Sequence, residues 1–322
     1  MTSLGPGAFY TPLPHLRWRL LTADDEEELE QLRDQLALLD TSVLSGLSAD
    51  AETGASLRED GLAIGGWDDY DTLTAYGALH LGSTDPLRLY LFGGVLPAHR
   101  HKGIGTSVLR WQLAVGSAWR DRHHPGVPLR LSCHAELGRK GLLRAAELHG
   151  FAAERYYYDL VRRLDRAPLV RDVPGVTVVP FTAEHSEEVR QLHNLCFKPI
   201  GGGEVAAEEW ARRTGSAEFR ADWSFVALVD GAVAGYAMNA EDVADDGGPA
   251  GWTERFGVHP EHRRRGVALA LLSHSLRAMH DAGCAEAGIG VDTPDGLAMS
   301  RLVADLGYAT RDAVGLLTKI VV

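Results

Sequence analysis

The sequence predicts two similar α/β domains in tandem. Its 322 residues are about twice the length of an average domain. Apolar residues make up 45% and charged residues 24% of the chain, which is typical of a globular protein with a substantial core. A segment of the first half also recurs in the second half, and repetition of this kind is the strongest indication of architecture that a sequence can give.

The duplication is clearest at residues 95–105, VLPAHRHKGIG, which recur as residues 258–268, VHPEHRRRGVA, at an offset of 163. Two weaker matches keep the same order at offsets of 160 and 157: residues 21–24 with 181–184, and residues 149–151 with 306–308. Three matches at nearly one offset indicate a duplicated domain and exclude a solenoid of short repeats.

Each half is predicted to begin with a short strand, at residues 16–21 and 176–181, that leads into a helix. In the first half the helix is opened by Thr22-x-x-Asp25, a pattern typical of a capping box. The segments that alternate as strands are residues 72–81, 88–95, 128–133, 224–230, 232–239, 251–258 and 286–291. Pro168 and Pro174 mark a linker at 167–175, which separates domains at 1–166 and 176–322.

Charge and cysteine content narrow the function classes. The net charge is −12, and both halves are acidic, whereas a nucleic-acid-binding face needs a basic surplus. No apolar run has the length of a membrane span, and the first residues lack a secretion signal. The three cysteines form no C-x-x-C pair. We therefore expect a cytoplasmic protein without nucleic acid, membrane or metal.

The repeated segment has the form of an anion-binding turn. It joins a strand to a helix, and the first backbone N–H groups of a helix lack intrahelical partners. Glycine at 103 and 266 would let a phosphate approach the backbone. A purely steric turn is the alternative, but a second copy favours binding. A dinucleotide fingerprint is excluded because Val108 and Leu271 replace its third glycine, and a P-loop is excluded because Gly-Lys-Ser/Thr is missing.

Arg-x-x-Gly-x-Gly/Ala after a strand resembles the signature of the GNAT family of N-acetyltransferases. The closing segments Gly150-Phe151 and Leu306-Gly307-Tyr308 also resemble that family. The resemblance occurs twice and covers essentially the whole chain, as in the two-domain mycothiol-synthase type. The resemblance implies a mixed, mostly antiparallel sheet with helices on both faces of each domain. It also implies acetyl-CoA, or another acyl-CoA, as the cofactor and acyl donor.

In such a domain the CoA pyrophosphate binds the turn, and the pantetheine lies along the preceding strand. The turn positions that the resemblance implies are His101, Lys102, Gly103, Ile104, Gly105 and Thr106 in the first half, and Arg264, Arg265, Gly266, Val267, Ala268 and Leu269 in the second. The strand positions are Gly93, Gly94 and Val95, and Phe256, Gly257 and Val258, with Asp292 as a further pantetheine contact.

Acyl transfer to an amine needs a base, which in this family is often a glutamate on the strand before the turn. By strand alternation the first half offers Leu89, Leu91 and Gly93 on the expected face, and the second offers Trp252, Glu254 and Phe256. Glu254 is the candidate base, although it lies two residues nearer the turn than the family's usual glutamate. A salt bridge to Arg255 or Arg277 is the alternative role.

The family's usual proton donor, a tyrosine, is replaced by Ala146 and Val303. Tyr308, Ser300 and Asp292 are the candidates that remain, with a capping role as the alternative for Asp292. We therefore expect an acyltransferase that acts on a small-molecule amine in its C-terminal half, while the N-terminal half binds acetyl-CoA structurally. The alternatives are an inactive acyl-CoA-binding scaffold and an aminoacyl-tRNA-dependent transferase.

The acidic cluster Glu241, Asp242, Asp245 and Asp246 is interpreted as a solvated turn, with attraction of a cationic amine as the alternative. The acceptor itself is not encoded in any local motif, and the loop at 198–204 is expected to shape its pocket. The protein is expected to be a monomer or a homodimer.

Overall fold

A computed structural model of the protein describes residues 16–39, 62–198, 203–244, 246–294 and 304–322. The chain forms two compact units. The first unit contains Met1–Tyr157 and Asp312–Val322, and the second contains Tyr158–Arg311. Among the helices described, none combines the length and the apolar character needed to cross a membrane.

The first unit has a sheet with the strand order β1-β2-β3-β4-β5-β12. Its strands and helices are β1 (Arg17–Leu20), α1 (Glu26–Leu39), β2 (Ala63–Trp67), β3 (Leu73–Thr84), β4 (Leu87–Val95), α2 (Ile104–His123), β5 (Leu129–Glu136), α3 (Lys140–Leu148) and the start of β6 (Ala152–Arg163). The β4–β5 pair is parallel, whereas β1–β2, β2–β3, β3–β4 and β5–β12 are antiparallel.

The second unit repeats this plan with the order β11-β10-β9-β8-β7, and β6 lies next to β11. Its elements are β7 (Thr177–Pro180), α4 (Ser186–Phe197), α5 (Ala207–Thr214), β8 (Phe225–Val229), β9 (Ala232–Val243), β10 (Pro249–Val258), α6 (Val267–Asp281), β11 (Glu286–Thr293) and the start of β12 (Ala309–Val321). The β10–β11 pair is parallel, whereas β7–β8, β8–β9 and β9–β10 are antiparallel.

Helices cover both faces of each sheet, because apolar side chains alternate along the strands and need cover on either side. In the first unit one core lies against α2 and another against α1. In the second unit one core lies against α6 and another against α4 and α5. The predicted mixed sheet with helices on both faces is confirmed in each unit.

The compact units differ from the domain boundaries predicted from the sequence, 1–166 and 176–322, at both ends of the second unit. Residues 158–175 belong to the second unit, and residues 312–322 return to the first. The physical reason is strand pairing: Val314–Val321 pair with Glu136–Leu129 of β5. A pairing between segments so far apart in sequence leaves no local signal in the residues.

The predicted cap at Thr22 is present and forms a short 3₁₀ turn that leads into α1. The carboxylate of Asp25 accepts hydrogen bonds from the backbone N–H of Thr22, at 2.8 Å, and from its hydroxyl, at 3.0 Å. The guanidinium of Arg19 donates two more hydrogen bonds to the same carboxylate, at 2.5 and 2.6 Å. Strand β1 is thereby tied to the start of α1.

Candidate functional site

The two repeated turns have the same backbone conformation. His101 and Gly103 have φ values of 63° and 79°, and Arg264 and Gly266 have φ values of 60° and 84°. A residue other than glycine in this left-handed region is uncommon and strained, and such strain concentrates at functional sites. Its recurrence at the equivalent position of both units indicates that the turn geometry itself is required.

The arginine of each repeated motif holds the turn against the strand before it. Arg100 Nε donates to the carbonyl of Val95 at 2.8 Å, and Arg263 Nε donates to the carbonyl of Val258 at 3.2 Å. These two arginines therefore have a structural role. Lys102 and Arg265 are exposed, so their charges are accessible to a ligand at the turn.

Helix α2 begins directly after Gly103, and α6 begins directly after Gly266, without a side-chain cap at either start. An added Cβ at Gly103 would have no described atom within 4 Å, whereas at Gly266 it would lie 3.1 Å from Cγ2 of Val173. Open space at the uncapped start of a helix, where the helix dipole is positive, suits an anion. The second turn has a closer neighbour than the first.

Both sheets open immediately before the turn. Strand β4 pairs with β5 only from Arg88 to Tyr90, and β10 pairs with β11 only from Ala250 to Thr253. Residues 91–95 and 254–258 therefore present a backbone edge that pairs with no described strand on that side. An extended ligand with amide groups can occupy such an edge as an added strand. The predicted strand positions Gly93–Val95 and Phe256–Val258 lie at these edges.

Strand β10 contains a β-bulge at Glu254. Thr253 pairs with Asn239, and Arg255 pairs with Met238, so Glu254 has no partner on β9. Strand β4 is regular at the equivalent place, where Leu91 pairs with Leu79 and Phe92 with Ala78. The second unit thus has one extra residue where its sheet opens, and bulges of this kind re-aim side chains next to active sites.

The bulge changes which side chains of β10 share a face, so the predicted grouping of Trp252, Glu254 and Phe256 on one face is wrong, whereas Leu89 and Leu91 of β4 share a face as alternation predicts. Phe256 pairs with Ala237 and packs in the core against α6, whereas Arg255 pairs with Met238 on the side of α4 and α5. In the first unit Leu89 and Leu91 belong to the core against α2. The face toward α1 carries Tyr90 and Phe92 instead.

Glu254 is exposed at the point where β10 and β11 diverge. Arg277 donates to the carboxylate of Asp281, at 3.1 and 3.2 Å, and not to Glu254. Within the described residues, no salt bridge joins Glu254 to a cation. The first unit has Phe92 in the position of Arg255 and no residue equivalent to Glu254.

The two other candidate reactive residues, Tyr308 and Asp292, differ in burial. Tyr308 is buried in the core against α6, and burial raises its pKa. Enclosure among apolar side chains favours a packing role for this tyrosine. Asp292 is exposed near the end of β11, on the strand that borders the opening. Ser300 and Val303 lie outside the described residues.

A polar cluster lies between β10 and the helices α4 and α5. The hydroxyl of Tyr236 is 2.7 Å from Nδ1 of His193, and the thiol of Cys196 donates to the carbonyl of Val258 at 3.4 Å. Burial lowers the pKa of His193 to about 4, with further contributions from the positive charges of Arg255 and Arg213. The imidazole is therefore neutral at physiological pH.

Arg255 is the residue that sequence reasoning did not assign. Its guanidinium is half-buried, and its pKa is lowered first by burial and then by the charge of Arg213. The available signal was the pair of consecutive charged residues, Glu254-Arg255, in an otherwise alternating strand. Such a pair cannot keep both side chains on one face unless the strand contains a bulge.

The acidic cluster has structural contacts. Glu241 forms a salt bridge with Arg220 at 2.5 Å. Asp242 accepts from the backbone N–H of Val243, and Asp246 accepts from that of Gly248. Asp245 lies outside the described residues. Throughout the described part of the chain, no three His, Cys, Asp or Glu side chains gather as possible metal ligands.

Residues 186–308 match the model of the acetyltransferase (GNAT) family. The fold is similar to that of a GCN5-related N-acetyltransferase from Sphaerobacter thermophilus, with 21% identity and a TM-score of 0.60, over 96% of this chain and 97% of that chain. It is also similar to a GCN5-related glucosamine N-acetyltransferase region in a fungal multi-domain GH3 β-N-acetylglucosaminidase, with 13% identity and a TM-score of 0.54.

The second similarity covers 96% of this chain but 38% of the fungal chain. None of the curated proteins that were compared matches the sequence. At these levels of identity the structural similarities establish the fold alone. The chain has the α/β fold of GNAT acetyltransferases, and its residues 186–308 match that family's model.

Proposed function

We propose that the protein transfers an acetyl group, or another acyl group, from acyl-CoA to a small-molecule amine. In this proposal the chain is a tandem of two GNAT domains of the mycothiol-synthase type, and the chemistry takes place in the second. The observation that carries the proposal is the pair of strained turns, each of which follows a strand whose pairing with its parallel neighbour has already ended.

Donor binding follows from backbone geometry. The N–H groups at the starts of α2 and α6 would hold the pyrophosphate, with added charge from Lys102 and Arg265. The open edges at 91–95 and 254–258 would pair with the amides of the pantetheine. Acyl-CoA supplies an activated thioester, and the chain's own residues orient that thioester at the opening.

The chemical step needs a base and a site for developing negative charge. Glu254 stands where β10 leaves β11, and its exposed carboxylate can take the proton of the attacking amine directly or through a water. Backbone N–H groups of the open edge can donate to the thioester oxygen as charge develops there. The CoA thiolate then leaves, and Asp292 is a further pantetheine contact in this proposal.

The first unit is proposed to bind acyl-CoA without turning it over. It has the same turn and opening as the second unit, but Phe92 stands in the position of Arg255, and the bulged glutamate is missing. A ligand that binds only the folded state stabilises the protein by mass action. The first unit would thus use the donor as a structural ligand.

The proposal is tested with Glu254→Gln, which keeps size and polarity but removes the basic carboxylate. Release of CoA from acetyl-CoA is measured with a panel of amines, and we expect kcat to fall by about 10²–10⁴, with the affinity for CoA unchanged. Glu184→Gln, an exposed glutamate of the same unit, is the matched control and should keep its rate.

Two results would contradict the proposal. If Glu254→Gln lowers the melting temperature but leaves turnover intact, the glutamate is structural. If the protein binds CoA but releases none from acetyl-CoA with any amine, it is an acyl-CoA-binding protein and not an enzyme.

A further inference from the structure

The acceptor side of the second unit contains a cation that the proposed reaction does not use. Arg255 lies on the face of β10 that packs toward α4 and α5, opposite Met238 and two pairs from Tyr236. Its guanidinium is half-buried. Within the described residues, no carboxylate forms a salt bridge or hydrogen bond with it.

The groups on α4, α5 and β9 do not neutralise Arg255, and the charge of Glu254 attracts it without a salt bridge in the described residues. His193 is neutral, and the hydroxyl of Tyr236 is already hydrogen-bonded to that histidine. The carboxylate of Glu209 on α5 also attracts Arg255, but it forms salt bridges with Arg212 and Arg213, each at 2.5 Å. This small group therefore has an excess of positive charge. A partly desolvated cation of this kind favours an anionic partner.

Glu254 and Arg255 are neighbours in sequence, so their Cα atoms are about 3.8 Å apart. Their functional groups have opposite charges, and both lie at the opening of the sheet. An acceptor that presents its amine to Glu254 would therefore benefit from an anionic group a few bonds away, within reach of Arg255. A guanidinium binds carboxylate and phosphate groups through paired N–H donors.

We propose that the acceptor is a small zwitterionic amine whose carboxylate or phosphate group pairs with Arg255 while its amine faces Glu254. This inference rests on the proposed acyltransferase function and names the substrate class of its site. Arg255 is a specificity residue in this account. Phe92 at the equivalent position of the first unit cannot make the same contact.

The acidic cluster described above already has partners within the protein, so it is not needed to bind the amine of a zwitterionic acceptor. Glu241 is paired with Arg220, and Asp242 and Asp246 accept backbone hydrogen bonds. Their carboxylates are thereby accounted for without a cationic acceptor. The acceptor's anionic group, and not its ammonium group, would therefore pair with the guanidinium of Arg255.

The test compares matched acceptors with the full-length protein. CoA release from acetyl-CoA is measured with the twenty proteinogenic amino acids, β-alanine and 4-aminobutanoate, each beside its carboxamide. A second arm compares 2-aminoethyl phosphate with ethanolamine. We expect the anionic member of the preferred pair to have a kcat/KM at least about 30-fold higher. The arm that shows this ratio identifies carboxylate or phosphate as the recognised group.

Arg255→Met should raise the KM for the preferred anionic acceptor at least about 30-fold and leave the KM for acetyl-CoA unchanged. The kcat/KM for the neutral counterpart of that acceptor should stay unchanged, so the ratio of kcat/KM between the anionic and the neutral acceptor falls toward 1. Arg255→Lys should restore part of the ratio. Arg166→Met, which removes an exposed arginine of the same unit, is the matched control and should keep the wild-type ratio.

The failures are distinguishable. If CoA is released and neutral amines serve as well as anionic ones, the substrate class is wrong while the acyltransferase function stands. If Arg255→Met changes only thermal stability and keeps the acceptor ratio, the arginine is structural and the inference is overturned. Release of no CoA with any amine would overturn both the function and the inference.

Discussion

The hydroxyl of Thr253 donates a hydrogen bond of 2.7 Å to the side-chain oxygen of Asn239, immediately before the bulge at Glu254. The amide nitrogen of Asn239 donates to the carbonyl of Trp223 and to the hydroxyl of Ser275, at 2.6 and 2.9 Å. All these side-chain groups are buried. A buried polar network whose members are all satisfied specifies one arrangement of the strands it joins.

Thr253→Val should destabilise the second unit, because it removes the hydroxyl and leaves the oxygen of Asn239 buried without this donor. We expect the free energy of unfolding to fall by about 1–3 kcal/mol, measured by urea denaturation. Turnover should fall as well, since the bulge that carries Glu254 loses its fixed position. Thr310→Val, at an exposed position, should have little effect on either. An unchanged stability for Thr253→Val would show that the network does not hold the bulge.

Gly103 and Gly105 should respond differently to alanine. Gly103 has a φ of 79°, so alanine there is strained by about 1–2 kcal/mol. Gly105 lies within α2, and its added Cβ would have only Val95 nearby, at 4.0 Å. Gly105→Ala should therefore be neutral or stabilising by up to about 1 kcal/mol. Equal effects in thermal unfolding would contradict the backbone argument.

The same turn predicts how CoA binds the first unit. Gly103→Val should abolish binding there, because a β-branched residue opposes the left-handed conformation on which the backbone cradle depends. Lys102→Ala should weaken binding only modestly, since the exposed lysine adds charge but not geometry. Calorimetric titration of CoA into the full-length protein measures both. A greater loss with Lys102→Ala would show that side-chain charge holds the pyrophosphate.

The pair Arg19–Asp25 should make the first unit sensitive to acid. Hydrogen bonds from Arg19 lower the pKa of Asp25 to about 2, below its value of about 3.9 in an unfolded chain. The lowered pKa stabilises the fold above about pH 4, and this stabilisation is lost as the pH falls toward 2. Because Arg19 is half-exposed, solvent screening limits the contribution to about 1–2 kcal/mol.

Asp25→Asn should therefore lower the unfolding free energy at pH 6 and have a smaller effect at pH 2.5, as measured by denaturation at both values. Asp24→Asn, an exposed aspartate in the same turn, is the control and should behave like the wild type. A penalty for Asp25→Asn that is the same at both pH values would contradict a role for the ionised carboxylate.

Removal of residues 312–322 should destabilise the first unit, although these residues follow the second in sequence. They include Val314, Leu316 and Leu317, which are buried, and they pair with β5 from Glu136 to Leu129. We expect faster hydrogen exchange at the amides of residues 129–136. Deletion of Val322 alone, which is 95% exposed, should change nothing. Unchanged protection of β5 after the longer deletion would contradict the pairing.

The sequence by itself determined the repeated plan of the molecule. The recurrence of VLPAHRHKGIG as VHPEHRRRGVA identified two equivalent strand–turn–helix segments, and the structure gives both the same backbone. Local information was sufficient here, because the turn is defined by a glycine with positive φ and by an arginine that contacts the strand five residues before it. Most strands were also predicted from alternation.

Only the tertiary structure decided which side chains face the opening. One extra residue at Glu254 turns Phe256 into the core against α6 and Arg255 toward α4 and α5, and alternation without a bulge predicts the opposite. The strand that completes the first sheet comes from residues 314–321, which no local pattern assigns to β5. Both features depend on hydrogen-bond pairing between distant segments, and such pairing is selected by the packed fold and not by the residues alone.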